Sequence, residues 1–203
     1  KIPARGPGEN LVVNGDFESE PLDGGLDWRV MPMQGVEAAT DSSIFYSGTR
    51  SLEIRFFDAG NIFYRHVLQF VPVRPNARYR FTAYLRAAGI TTDSGLFLQI
   101  QDPEQPAMPA VNLPSVLGSA SWLPYVAEFA TGPETRLLSI GVVRLPSEKF
   151  VHQFRGTLWM DHVSLVEIRR AASLSAAPRL WRSRRCRVRA QPRRPIRSPE
   201  RKG

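Results

Sequence analysis

An antiparallel all-β sandwich is the fold class this 203-residue sequence predicts, and three observations carry it. Apolar residues recur with period two through most of the first 168 residues. The runs are short and are broken by turn-rich segments such as "PLDGGLD", "DAGN", "RPNA", "TTDSG" and "TGPET". No stretch among them carries the 3.6-residue spacing of an amphipathic helix, and many short strands without helices between them bury their faces by packing sheet on sheet.

The elements follow in order. Leu11–Glu18 opens with an apolar start running into the polar "NGDFE", and Asp27–Gln34 follows a glycine-rich turn and carries Trp28, which suits either core or ligand platform. Arg50–Phe57 alternates, with Leu52, Ile54 and Phe56 inward and Glu53 and Arg55 outward. Ile62–Val73 is apolar in both rows, so its facing is ambiguous. Arg78–Ala87 puts Tyr79, Phe81, Ala83 and Leu85 inward and Arg80, Thr82, Tyr84 and Arg86 outward. Gly95–Asp102 puts Leu96, Leu98 and Ile100 inward and Phe97, Gln99 and Gln101 outward. The stretch from Pro103 to Ser121, with four prolines, reads as an irregular surface loop. Leu123–Ala130, Arg136–Leu145 and Gly156–Glu167 complete the series; in the last of these Trp159, Asp161, Val163 and Leu165 form the expected core row. Trp122 and Trp159 read as core.

Charge divides the chain in two. Residues 1–168 hold 14 Lys and Arg against 18 Asp and Glu, a net −4, whereas residues 169–203 hold 13 against 1, a net +12. The expected organisation is a linker over 1–9, one sandwich over 10–168 and a disordered Arg/Pro-rich tail over 169–203. The tail reads either as a nonspecific polyanion binder, whose attachment falls with salt, or as translation past a frame break. The one cysteine, Cys186, lies in it, which excludes a disulfide scaffold for the body. No apolar run approaches the roughly 20 residues that span a bilayer. Beginning at Lys1 without a charged-then-apolar signal segment, the sequence reads as part of something longer.

Two groups of residues stand out chemically. A lone carboxylate in a core row, as expected for Asp161, is costly unless it is paired, protonated or bound to a cation. Glu18 in the first strand and Asp161 in the last, joined by backbone carbonyls of a neighbouring turn, would make an all-oxygen site of the kind Ca²⁺ prefers. A turn cap or an arginine partner accounts for Asp161 equally. Secondly, the outward rows Tyr84, Arg86, Phe97, Gln99 and Gln101 mix aromatic rings with planar polar groups, where a solvated sheet face favours Thr, Lys and Glu.

Taken in order, "NLVVNGDFE", Trp28, "YSGTRSLEI", "VPVRPNARYRFTAYLRA", "SWLPYVAEFA" and "GTLWMDHVSLVE" resemble carbohydrate-binding modules of families four and nine, the CenC-like type. The resemblance covers residues 10–168 and implies a galactose-binding-like β-jelly roll. It implies a structural Ca²⁺ on Glu18 and Asp161, with main-chain carbonyls of Asp16 and Thr49. The family's second closing acid is His162 here. It also implies a sugar groove across the concave sheet, formed by Tyr84, Arg86, Phe97, Gln99 and Gln101, with Tyr64, His66 and Arg144 from neighbouring strands. A pyranose ring has apolar C–H faces and a polar rim, so flat rings beside amides and guanidinium groups suit it.

Catalysis is not expected. His66, His152 and His162 lack metal-helix spacing, the serines lack nucleophile-elbow glycines, and no pair of acids is set apart for glycoside hydrolysis. The leading expectation is a monomeric, noncatalytic module binding polysaccharide or oligosaccharide, an accessory domain of a larger extracellular or cell-envelope protein such as a glycoside hydrolase. The alternative is a structural or protein-interaction β-sandwich. No specific nucleic-acid partner is expected, and a basic binder acting through the tail is the third possibility.

Overall fold

The computed structural model describes residues 8–57, 59–149 and 153–168; the expected tail with Cys186, most of the 1–9 linker, and His152 lie outside the described residues. Among the described residues there are ten strands and no helix: β1 (Arg29–Val30), β2 (Val36–Asp41), β3 (Ser51–Phe56), β4 (Tyr64–Pro72), β5 (Arg78–Ile90), β6 (Phe97–Gln101), β7 (Val111–Asn112), β8 (Gly118–Ala130), β9 (Leu137–Arg144) and β10 (Gly156–Glu167). They form two five-stranded sheets, ordered β1-β4-β9-β6-β7 and β2-β3-β10-β5-β8, with every pairing antiparallel. The expected sandwich is therefore present.

Alternation places the core where the pattern put it. The inward rows of β3, β5 and β6 are all buried, and β9 adds Leu138, Ile140 and Val142. Trp28 belongs to this core: it is fully buried against Phe17, ring centroids 5.4 Å apart, and its indole N–H donates to the Asn14 carbonyl. Each such side chain contributes about 1.5–3 kcal/mol through burial.

Four expectations are corrected. Residues 11–18 do not form a strand, because the "NGDF" turn intervenes, with Asn14 and Phe17 in the left-handed region (φ 48° and 54°) and the Phe17 N–H closing on the Asn14 carbonyl. The preceding residues lie beside the second half of β10, through Leu11 N–H to Leu165 O (2.8 Å) and Val163 N–H to Gly15 O (2.7 Å). Asp27–Gln34 shrinks to the two residues of β1, and the unpredicted β2 pairs with β3 along its whole length. The Pro103–Ser121 stretch is tied to the sheet by β7, by Leu113 N–H to Leu98 O, and by paired hydrogen bonds between Leu96 and Val116. Finally, the core row of β10 is not continuous. Leu158 and Met160 pair with the inward Ala87 and Leu85, while Trp159 and Asp161 pair with the outward Arg86 and Tyr84. A bulge between Asp161 and Ser164, with His162 at φ 50°, then turns Val163 and Leu165 inward.

Candidate functional site

The eight expected sugar contacts separate into three places. His66, Phe97, Gln99 and Gln101 share the outer face of the first sheet. Tyr84 and Arg86 are on β5 in the other sheet, so they face the opposite side of the sandwich and cannot share a groove with Phe97. Tyr64 and Arg144, partners across β4 and β9, are interior. A bulge between Tyr64 and Val67 turns Tyr64 into the core, edge-on to Phe56 at 5.0 Å. Arg144 continues the inward row of Ile140 and Val142, lies 4.2 Å from the Phe154 ring centroid, and donates to the Ile62 carbonyl at 2.5 Å. Burial lowers its pKa.

On the first sheet's outer face, β9 supplies a floor of small side chains, Ser139, Gly141 and Val143. Ser139 and Val143 are only 1% and 2% exposed because longer side chains of β4 and β6 rise on either side. A Cβ on Gly141 would come within 3.1 Å of Val67 O and 3.2 Å of Leu68 Cβ, so the floor is already close-packed. Arg65, missed by the sequence reading, is central to this face. It starts near the Val143 end of the bulge, yet donates to Ser139 Oγ (3.1 Å) and Gln101 Oε1 (3.3 Å), so its side chain runs lengthwise along β9. Its buried Nε–H has no hydrogen-bond partner. Gln99 is oriented by Asn112 Oδ1 of β7 at 3.0 Å, and Arg29 lies over Phe70 at 4.6 Å. The face thus combines an aromatic ring, two oriented amides and a guanidinium group without a carboxylate partner among the described residues.

The four expected metal-site residues gather around the turn at residues 46–50. Asp161 Oδ2 accepts the N–H groups of Tyr46 and Ser47, both at 2.9 Å, and its Oδ1 accepts that of His162. Glu18 Oε1 accepts the N–H groups of Thr49 (2.7 Å) and Arg50 (3.2 Å), while its Oε2 accepts the Thr49 hydroxyl (2.6 Å). Gly48 sits between the two grips at φ +68°, where any Cβ would collide with Glu18 Oε1. The Thr49 hydroxyl and N–H hold the Glu18 carboxyl below its ordinary range, whereas burial pushes that of Asp161 up. A carboxylate offers about four lone-pair directions, and each of these has used three. Beside Glu18 is a hollow of about 370 Å³ lined by Asn10, Asn14, Asp16, Ser47, Gly48 and Ser164 among others. The hollow offers oxygen donors of the type a hard cation takes, Glu18 and Asp16 among them; Asp161 is not among its lining residues, and no group of three or more His, Cys, Asp or Glu side chains that could hold a metal ion gathers among the described residues.

The outer face of the second sheet carries an aromatic group that the sequence reading divided between core and surface. Tyr46 stacks on Tyr84 at 3.7 Å and 14°, and Trp122 of β8 meets Tyr46 edge-on at 6.0 Å. Trp122 is half-buried on this face rather than in the core. Trp159 is 7% exposed here, its indole N–H on Asp41 Oδ2 and the Arg86 guanidinium over its ring at 5.8 Å.

No family model and no curated protein matches this chain. Solved structures do. "Family 16 Carbohydrate Binding Module-2" is 20% identical, covers 78% of this chain and 100% of its own, and superposes with a TM-score of 0.52. "CBM4 structure and function" is 14% identical over 77% of this chain and 99% of its own, TM-score 0.53. The structure of TmCBM61 in complex with beta-1,4-galactotriose is 17% identical over 79% and 99%, TM-score 0.53. The fold is therefore that of carbohydrate-binding modules. Family 4 scores no differently from families 16 and 61, so the fold does not single out one family.

Proposed function

We propose that this chain is a noncatalytic carbohydrate-binding module whose saccharide lies on the outer face of the first sheet, along Phe97, Gln99, Arg65 and His66. The observation that carries this reading is the Arg65 guanidinium laid along β9 between the Gln101 amide and the small side chains of the floor, with no carboxylate partner among the described residues. Phe97 supplies a ring for a C–H face, and the amides and guanidinium supply donors for hydroxyl oxygens. The carbohydrate-binding modules of like fold support the assignment, and their printed ligands point to polysaccharide chains rather than free monosaccharides. The module would serve as an accessory domain of a larger extracellular or cell-envelope protein, such as a glycoside hydrolase.

The test is binding of the chain to a panel of soluble and insoluble polysaccharides, with Phe97→Ala and Gln99→Ala as controls. Retention on at least one glycan, lost in both variants, is the expected result. A folded chain that binds no glycan would leave the sandwich as a structural or interaction module.

Ca²⁺ belongs to the same proposal, held by Glu18 and Asp161 with main-chain carbonyls of Asp16 and Thr49. Its contribution would be to fix the 46–50 turn against β10. Because the turn already receives two carboxylates by direct hydrogen bonds, removing the ion should weaken the clasp without unfolding the domain. Saturating Ca²⁺ at 100 times its Kd contributes about 2.7 kcal/mol. At roughly 2–4 °C per kcal/mol for a domain of this size, the Tm should stand about 5–10 °C higher in Ca²⁺ than in chelator. Identical melting curves in the two conditions would remove the ion from the proposal.

A further inference from the structure

We propose that the outer face of the second sheet is a separate saccharide site, selective for an anionic pyranose of the uronic acid class. Its platform is Tyr46. One face of this ring is taken up by Tyr84 at 3.7 Å, and the residue is still 42% exposed, so the stacked pair presents the other face outward. Trp122 stands beside it at 60°, and His162 borders both tyrosines at 6.1 and 5.9 Å. The group is held in place from below, because the Tyr46 N–H is bound to the buried carboxylate of Asp161.

Charge selects the ligand. Arg86 lies two residues beyond Tyr84 on the same row of β5, about 7 Å along the strand. Its guanidinium lies over Trp159 and has no hydrogen bond or ion pair among the described residues. The acids around it are committed elsewhere: Glu53 to Arg55 at 2.8 Å, Asp41 to the Trp159 indole N–H at 2.9 Å, and Asp161 to the 46–50 turn. An exposed ring face thus neighbours an unpaired, planar cation. A sugar that stacks its C–H face on Tyr46 and carries a carboxylate can pair that carboxylate bidentately with Arg86. A neutral sugar gains only the stacking. The two outer faces point in opposite directions, so occupation here is independent of the first-sheet site, and the module would hold two glycan strands at once.

The experiment titrates the full chain with oligosaccharides of galacturonic, glucuronic and mannuronic acid and with their methyl esters, by calorimetry and tryptophan fluorescence. At least one acidic oligosaccharide should bind, at least tenfold more tightly than its ester. Arg86→Gln should erase that tenfold preference, and Tyr46→Ala should abolish binding of both forms. Phe97→Ala, which disables the first-sheet site, should leave uronate binding unchanged. Failure of all three acids to bind overturns the proposal, as does uronate binding that Phe97→Ala destroys and Arg86→Gln leaves intact. A thermal melt of each variant confirms that it is folded, and Arg86→Gln decides the question by itself should Tyr46→Ala not fold.

Discussion

Arg65→Met is expected to weaken glycan binding by at least tenfold while the Tm moves by only a few degrees. Methionine keeps the apolar stem along β9 and removes the guanidinium group. A hydrogen bond to a charged group contributes about 1.5–3 kcal/mol, which corresponds to roughly a tenfold to hundredfold change in Kd. The stability cost is small because the guanidinium has no carboxylate partner among the described residues and leaves behind only Gln101 and the Ser139 hydroxyl. Arg65→Lys separates charge from geometry. A lysine ammonium cannot span Gln101 and Ser139 as a planar fork does, so its affinity should fall between the other two. Isothermal titration with whichever polysaccharide the panel identifies provides the measurement. Unchanged affinity in Arg65→Met would take the ligand off this face.

Arg65 also marks where sequence reading stopped short. Period two is decisive where one row is apolar and the other is not, as in β5 and β6, and there the facing was legible residue by residue. In β4 both rows are apolar and a bulge adds a residue between Tyr64 and Val67, so alternation could assign neither Tyr64 nor Arg65. The same physics explains β10, where one bulge at His162 reverses the facing halfway along the strand. Period alone put Trp159, Asp161, Val163 and Leu165 in one row, although the first two and the last two point to opposite sides. Strand β2, "VEAATD", escaped notice because alanine and threonine give little contrast between its rows. The division of the expected sugar contacts has another cause. An outward row is legible from sequence, but which of two sheets it belongs to depends on strand order, and β5 and β6 are adjacent in the chain while lying in different sheets. The conjunction of Glu18 with Asp161 was legible from the lone carboxylate expected in the last strand's core row, and from the motifs around residues 10–18 and 156–167 that point the same way.

Asp161→Ala is expected to be the more destabilising of the two alanine substitutions that release the 46–50 turn from its carboxylates. The carboxylate is 0% exposed and accepts the N–H groups of Tyr46, Ser47 and His162, so alanine leaves polar hydrogens without an acceptor where water has no ready access. Each orphaned buried donor costs about 1–3 kcal/mol. Two of them, Tyr46 and Ser47, amount to roughly 2–6 kcal/mol, or a fall in Tm on the order of 10 °C. Glu18→Ala should cost less, although it also removes three hydrogen bonds, because the N–H groups of Thr49 and Arg50 lie at an exposed position and turn to water instead. Asp161→Asn keeps one acceptor but points an amide NH₂ at backbone donors, so it should fall between alanine and wild type. Thermal melts of the three variants, in Ca²⁺ and in chelator, separate the direct clasp from the ion. If the hydrogen bonds dominate, Asp161→Ala remains less stable than both Asp161→Asn and Glu18→Ala in chelator. Should the differences vanish there, the acids act only as ligands and the clasp itself holds little. The turn also carries Tyr46, so Asp161→Ala should loosen the Tyr46–Tyr84 stack and affect the second sheet's outer face without touching Phe97 or Arg65, which lie on the other side of the sandwich.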